Sequence, residues 1–215
     1  MGTLTNVTTH LDQRINIILD AIPEAKCSGV SVRYIPDTRM NWYVLRASYG
    51  REDRAFEFMV GDGTYAYVAK HYVKKIVNGK AKRVLENLIP NLLFVYTTSA
   101  KADCYIKNTP SLSFLSYYYN HFSQQGEKNP PLIVPNYEME NFILATQGRS
   151  EHLMVVTPKQ CHFKGGETVR VIEGAFKGVE GHVARVAGQQ RVVVNISNIG
   201  LVSTAYIPTA FLQTI

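Results

Sequence analysis

The sequence predicts an α+β fold, in which a mixed domain with a mainly antiparallel sheet is followed by a small β-barrel. The chain has 215 residues, of which 46% are hydrophobic and 19% charged, a composition typical of globular proteins with real cores. Helical and strand periodicities alternate as far as residue 146. From residue 168 onward the apolar residues form only short β-rich runs between glycine-containing turns, which favours a small barrel.

The first predicted element is an amphipathic helix over residues 9–22. Thr9 resembles a helix cap, with Asp12 three residues later, and Pro23 ends the helical pattern. One helical face carries Leu11, Ile15, Ile18, Leu19 and Ile22. We therefore expect residues 1–38 to form an N-terminal extension that contains one helix.

The next two elements are a buried strand and a helix. Residues 42–45 form a continuous aromatic and apolar run, as expected for a strand that is covered on both faces. Residues 51–54 are all charged and begin a helix whose buried stripe includes Ala55 and Met59. Gly61 and Gly63 end this helix.

A β-meander is predicted to follow, with strands over residues 65–68, 73–77 and 92–96. The pair Asn78-Gly79 is the signature of a type I′ hairpin turn. The hairpin is basic, with Lys74, Lys75, Lys80, Lys82 and Arg83. These residues could contact nucleic acid, but exposed edges commonly carry lysine to prevent aggregation, and the sequence favours this second interpretation.

The rest of the mixed domain is predicted as a helix over residues 100–106, a strand over 112–119 and a helix capped by Asn136. The mixed domain then covers residues 39–146. Residues 147–163 lack periodicity and are interpreted as a linker, although residues 153–156 could add a short strand. The barrel covers residues 164–215, with strands around 169–172, 182–186, 191–196, 202–207 and 211–214, and we expect the two parts to fold and act separately.

Composition and motifs argue against several classes of protein. A formal net charge of +6 and a pI near 9.2 favour contact with polyanions, while three distant cysteines form no disulfide framework or CxxC motif and suggest a reducing cytoplasm. No signal peptide or membrane-spanning apolar run is present.

No catalytic constellation or phosphate loop appears, and Cys161 and His162 are adjacent and poorly placed to share a metal. We therefore predict no enzymatic activity, no cofactor and no metal.

A glycine-rich run over residues 169–183 resembles the KOW motif. Its landmarks are Gly174, Phe176, Gly178 and Gly181. Glycine is needed where a tight corner requires positive φ or a close backbone approach, and Phe176 is expected to plug the barrel. The KOW motif alone also occurs in ribosomal proteins, so it leaves the function open.

The mixed domain resembles the N-terminal domain of NusG-type transcription factors. The resemblance lies in residues 42–45 with Gly50, and in residues 88–95, which are similar to the family's Phe-Pro-Gly-Tyr strand. Pro110 and Pro135 mark two further matches. In this order, the two halves resemble a NusG-type elongation or antitermination factor, which implies an NGN-type α/β sandwich followed by an SH3-like KOW barrel. Asn91 replaces a glycine, as in the operon-specific paralogues RfaH and UpxY, which favours a role at a polysaccharide locus.

The resemblance also implies a surface that binds RNA polymerase. In the family, the N-terminal domain clamps the coiled-coil helices of the polymerase clamp through an apolar patch. The matching residues are Ile89, Leu92, Phe94 and Tyr43. Helix-in-groove recognition needs a few apolar anchors of this kind. The alternative is that these residues belong to the core, because strand faces alternate.

Arginines at the strand-to-helix turn are implied to contact the non-template DNA strand. Arg46, Arg51 and Arg54 could attract phosphates while a base stacks on Tyr49. Alternatively, Glu52 and the neighbouring aspartate balance these arginines locally. For the barrel, the resemblance implies recruitment of ribosomal protein S10 or Rho. The competing functional hypothesis is an RNA-binding or ribosome-associated KOW protein.

Overall fold

The N-terminal domain is built on an antiparallel sheet. The computed structural model describes residues 20–120 and 129–215, so the predicted helix over residues 9–22 lies outside the described residues except for its last three. Its strands are β3 (Asn41–Ala47), β4 (Tyr65–Tyr67), β7 (Leu92–Thr97), β8 (Leu115–Tyr117) and β9 (Ile133–Val134). Their order is β4-β7-β3-β8, and β9 also pairs with β3. A short separate hairpin, β1 (Ala25–Cys27) with β2 (Val30–Val32), precedes the sheet.

A second hairpin projects from the domain as its own two-stranded sheet. It consists of β5 (Lys70–Val77) and β6 (Lys80–Asn87). Asn78 and Gly79 both have positive φ, +52° and +73°, as the type I′ turn requires. The predicted hairpin is therefore confirmed, and β5 is longer than the strand predicted over residues 73–77.

In its described residues, the domain also contains three α-helices: α1 (Glu52–Gly61), α2 (Ser99–Lys107) and α3 (Asn136–Thr146). The side chain of Thr98 caps α2 by accepting from the backbone N–H of Lys101 at 3.4 Å. The prediction that Asn136 caps α3 was wrong, because Asn136 is the first helical residue and Pro135 occupies the capping position. Strand β8 is shorter than predicted, since residues 110–112 form a 3₁₀ turn that proline favours at its first position.

The C-terminal part is a six-stranded antiparallel sheet. The strands of this sheet are β10 (Met154–Val156), β11 (His162–Val171), β12 (Glu180–Val186), β13 (Gln189–Ile196), β14 (Gly200–Tyr206) and β15 (Leu212–Thr214). Their order is β10-β14-β13-β12-β11-β15, and β10, which lies inside the predicted linker, pairs with β14. Residues 147–163 thus contribute to this sheet as well as connecting the two parts.

The glycines of the C-terminal motif serve both of the physical purposes predicted for them. Gly174 and Gly178 have φ of +84° and +91°, a region that favours glycine. Gly181 has no such φ, but a Cβ atom at this position would lie 2.4 Å from the carbonyl oxygen of Val193. Phe176 is half-buried against the core.

Helix α3 is covered on two sides. On one side, the Phe142 ring lies 5.3 Å from that of Phe94, and the Thr146 hydroxyl is 2.7 Å from that of Tyr67. Burial raises the pKa of Tyr67 to about 12. Every residue from 141 to 146 is buried, and a helix buried all round must have partners on more than one face.

The second partner of α3 is the C-terminal sheet. The Glu180 backbone N–H donates to Asn141 Oδ1 at 3.0 Å. The Glu138 carboxylate accepts from both the backbone N–H and the hydroxyl of Ser197, each at 2.6 Å. Buried residues of both parts belong to one hydrophobic cluster. The two parts are therefore in contact through helix α3, and their separate folding and action stays a prediction.

We predict that Gly181→Ala destabilises the C-terminal sheet by about 2 kcal/mol, because the added methyl group must displace the backbone of β13. Urea denaturation of the full chain measures this change. Gly148→Ala is the matched control, since a Cβ atom there meets nothing within 4 Å. Equal stabilities for the two variants would contradict the close approach at Gly181.

Candidate nucleic-acid and partner interface

An arginine–aromatic patch lies at the turn between β3 and α1. We define it as Arg46, Tyr49, Arg51, Arg54 and Phe114. Tyr49 is 90% exposed and has left-handed backbone angles, φ 63° and ψ 34°. Such angles are uncommon for a residue with a side chain, and they often occur at functional turns. The turn thus presents an aromatic ring to solvent.

Two of the three arginines of the patch, Arg51 and Arg54, lie over aromatic rings. The guanidinium carbon of Arg51 lies 4.2 Å from the centroid of the Phe114 ring and 5.3 Å from that of Tyr49. That of Arg54 lies 5.7 Å from the Phe114 centroid. Arg51 Nε also donates to the carbonyl of Ser48 at 3.0 Å. These contacts orient the guanidinium groups at the surface.

Neither acidic neighbour balances these arginines. Glu52 is buried, and its carboxylate accepts from the backbone N–H of Asn91. Asp53 forms an ion pair with Lys70 at 2.7 Å. Within residues 20–120 and 129–215, no carboxylate forms an ion pair with any arginine of the patch. The turn therefore has an excess of positive charge at its surface, as an anion-binding site requires.

Asn91 holds this turn in place. Its φ is +62°, a value that asparagine tolerates better than most residues. Its side-chain oxygen accepts from the backbone N–H of Gly50 at 3.2 Å, and its carbonyl accepts from that of Ala47 at 2.9 Å. Together with the Glu52 contact, these bonds tie the loop before β7 to the turn that carries Tyr49.

The four residues predicted to bind polymerase do not share one surface. The register of β3 and β7 pairs Val44 with Phe94, so Leu92 and Phe94 lie on one face of the sheet and Tyr43 lies on the other. These three side chains are 8%, 1% and 5% exposed, respectively. Ile89 precedes β7 and is half-buried. Of the four, Ile89 is the one that reaches the surface.

Two exposed apolar residues on the Tyr43 face, Ile133 and Tyr119, were not predicted from the sequence, and they flank the buried rings of Tyr43 and Tyr117. Ile133 lies opposite Tyr43 in the β9–β3 pair and is 44% exposed. The Tyr117 ring lies 6.1 Å from that of Tyr43 and 6.2 Å from that of Tyr119. Phe114, whose ring lies under the Arg51 guanidinium group, was not among the predicted site residues either. The aromatic run in residues 112–119 was the available signal for both features.

Among the described residues, no helix is long and apolar enough to cross a membrane. In the same residues, no group of three or more histidine, cysteine, aspartate or glutamate side chains is arranged to hold a metal ion.

Comparison with known proteins identifies a domain in the N-terminal part. Residues 40–143 match the family described as "Transcription termination factor nusG". Among solved structures, a similar chain is that of "Domain interaction in Thermotoga maritima NusG". It is 20% identical, the alignment covers 82% of this chain and 97% of that chain, and the TM-score is 0.36. No curated protein matches the chain.

We predict that the wild-type protein, with Asn91, is more stable than the Asn91→Gly variant, which in turn is more stable than the Asn91→Ala variant. Glycine keeps the positive φ but loses the bond to Gly50, at a cost of about 1 kcal/mol. Alanine loses the same bond and adds left-handed strain of about 1 kcal/mol or more. Thermal denaturation of Asn91→Gly and Asn91→Ala measures the order. An alanine variant as stable as the glycine variant would show that the backbone at this position is not constrained.

Proposed function

We propose that this chain is a transcription elongation factor that binds RNA polymerase through its N-terminal domain and suppresses pausing or termination. The observation that carries the proposal is the position of the arginine–aromatic patch within residues 40–143, the NusG-family domain. Its positive charge is not compensated by neighbouring carboxylates among the described residues. We place the action of the protein in the cytoplasm and propose no catalytic role or cofactor.

The patch is proposed to contact the non-template DNA strand in the elongation complex. A single strand offers phosphates to Arg46, Arg51 and Arg54, and it offers unstacked bases to aromatic rings. The ring of Tyr49 is exposed and stands beside Arg51. A base could therefore stack on Tyr49 while its phosphate meets a guanidinium group, without sequence-specific hydrogen bonds.

The polymerase contact is proposed to involve the clamp coiled-coil. Ile89 reaches the surface next to the loop that Asn91 holds. Leu92, Phe94 and Tyr43 support this region from inside the sheet, since all three are buried. In this arrangement Ile89 contacts the partner directly, and the other three keep the surface in shape.

The C-terminal sheet is proposed to be the KOW barrel that recruits a further partner, ribosomal protein S10 or Rho. Gly174, Phe176, Gly178 and Gly181 support this assignment through the conformations that they allow. We retain residues 164–215 as the barrel domain and residues 39–146 as the NGN domain. Asn91 in place of glycine supports an operon-specific role at a polysaccharide locus, in the manner of UpxY or RfaH.

We predict that two binding assays distinguish the role of Arg51 and Arg54 from the role of Ile89. Arg51→Ala with Arg54→Ala should weaken binding to a reconstituted elongation complex and leave binding to an isolated clamp coiled-coil unchanged, because the arginines address DNA. Ile89→Asp should weaken binding in both assays. Losing one charged hydrogen bond to phosphate costs roughly 1.5–3 kcal/mol, so the double arginine variant should bind at least about tenfold more weakly.

A polymerase pull-down with nuclease treatment provides the control for this prediction. Binding that survives nuclease supports a direct protein contact. Binding that disappears with nuclease, and that falls steeply with salt, would instead favour an RNA-binding KOW protein. If the arginine variant bound the elongation complex and the isolated coiled-coil with equally reduced affinity, these arginines would be structural.

A further inference from the structure

The β5–β6 hairpin stands apart from the rest of the N-terminal domain. The halves of its strands near the domain are partly buried, whereas every residue from 74 to 83 is exposed. Four residues of each strand therefore extend beyond the body, about 13 Å at the rise of a β-strand. The hairpin is an arm, and its exposed end is its most basic part.

Like charges face each other across this arm. Lys74 lies directly opposite Arg83, and Lys75 lies directly opposite Lys82. Successive residues of a strand point to opposite faces, so each face carries one such pair. Directly opposed like charges destabilise a hairpin. The arrangement therefore opposes the stability of the isolated arm and favours an anionic partner.

Few of these charges are neutralised within the protein. Lys75 pairs with Glu86, and Lys74 lies 3.8 Å from Glu151. Among the residues that the structure describes, Lys80, Lys82 and Arg83 take part in no ion pair. The guanidinium carbon of Arg83 lies 4.0 Å from the centroid of the Tyr72 ring, which holds that side chain against the arm.

Protection of an exposed edge accounts for only part of this pattern. Lysines at an edge prevent aggregation, and the sequence favoured this interpretation. However, Ile76 is 81% exposed near the tip, next to the lysines. A protective edge would not gain from an exposed isoleucine, whereas a tip inserted into the major groove would use one against the methyl group of thymine.

We propose that the β5–β6 hairpin is a second nucleic-acid-binding element that enters the major groove of double-helical DNA. The major groove is about 12 Å wide and 8.5 Å deep and admits a two-stranded β-ribbon, so the exposed part of the arm is long enough to reach its floor. The basic residues of both faces then meet the two phosphate backbones. The deep, narrow major groove of A-form RNA does not admit such a ribbon. The inference is independent of polymerase binding.

The test is binding of the full chain to a short fluorescent DNA duplex, measured by anisotropy over a series of salt concentrations. The double variant Lys80→Gln, Lys82→Gln should make the negative slope of log K against log salt shallower by about two. Its DNA affinity at 0.1 M salt should fall about tenfold for each contact that is lost. The matched control is Lys159→Gln with Lys177→Gln, which removes two exposed lysines from the C-terminal part. The control should bind like the wild-type protein.

Thermal stability separates lost contacts from lost folding. Removing Lys82 relieves its repulsion with Lys75, so the double variant should melt at the wild-type temperature or above it while binding DNA more weakly. If the double variant melts lower, the single variant Lys80→Gln is used, because Lys80 lies opposite Val77 and not opposite another charge. It should still make the salt slope shallower by about one. Equal binding by hairpin and control variants would overturn the proposal. Binding of duplex RNA as tight as that of DNA would overturn the groove assignment.

Discussion

The burial of helix α3 on two sides is the constraint on which the arrangement of the molecule depends. One side packs Phe142 against Phe94 of the central sheet, and the other side faces the C-terminal sheet. Polar groups inside such a contact must be paired, since an unpaired buried group costs roughly 1–3 kcal/mol. Asn141 and Glu138 meet this requirement through Glu180 and Ser197. Two directional polar contacts thus fix how the C-terminal sheet sits on the apolar helix.

The need to pair buried polar groups also shapes the candidate site. At the turn before α1, Glu52 faces inward and accepts from the backbone of Asn91, where the positive end of the helix dipole also favours a carboxylate. Arg51 therefore faces outward without this acidic neighbour and stacks on Phe114. Fold stability and surface charge have the same origin here. The acidic group that could have neutralised the arginine is used instead to hold the loop that supports Tyr49.

The sequence predicted the elements better than it predicted their burial. The run over residues 42–45 and the Asn78-Gly79 turn were predicted correctly because apolar patterning and positive φ act locally. The exposure of Leu92 and Phe94 could not be predicted, since it depends on the helix that covers their face. The docked position of the C-terminal sheet depends on contacts between residues far apart in the chain, such as Asn141 and Glu180. Phe114 became part of the site only through β8, which the register places beside β3.

The most direct test of the central claim is site-specific photo-crosslinking from position 49. A photoreactive phenylalanine analogue in place of Tyr49, which is 90% exposed, reports which molecule lies against the turn in a reconstituted elongation complex with a labelled non-template strand. The account predicts a crosslink to the non-template strand within the open bubble, and loss of that crosslink when the strand is fully paired. A crosslink to the polymerase alone, or no crosslink in a complex that contains the protein, would contradict it.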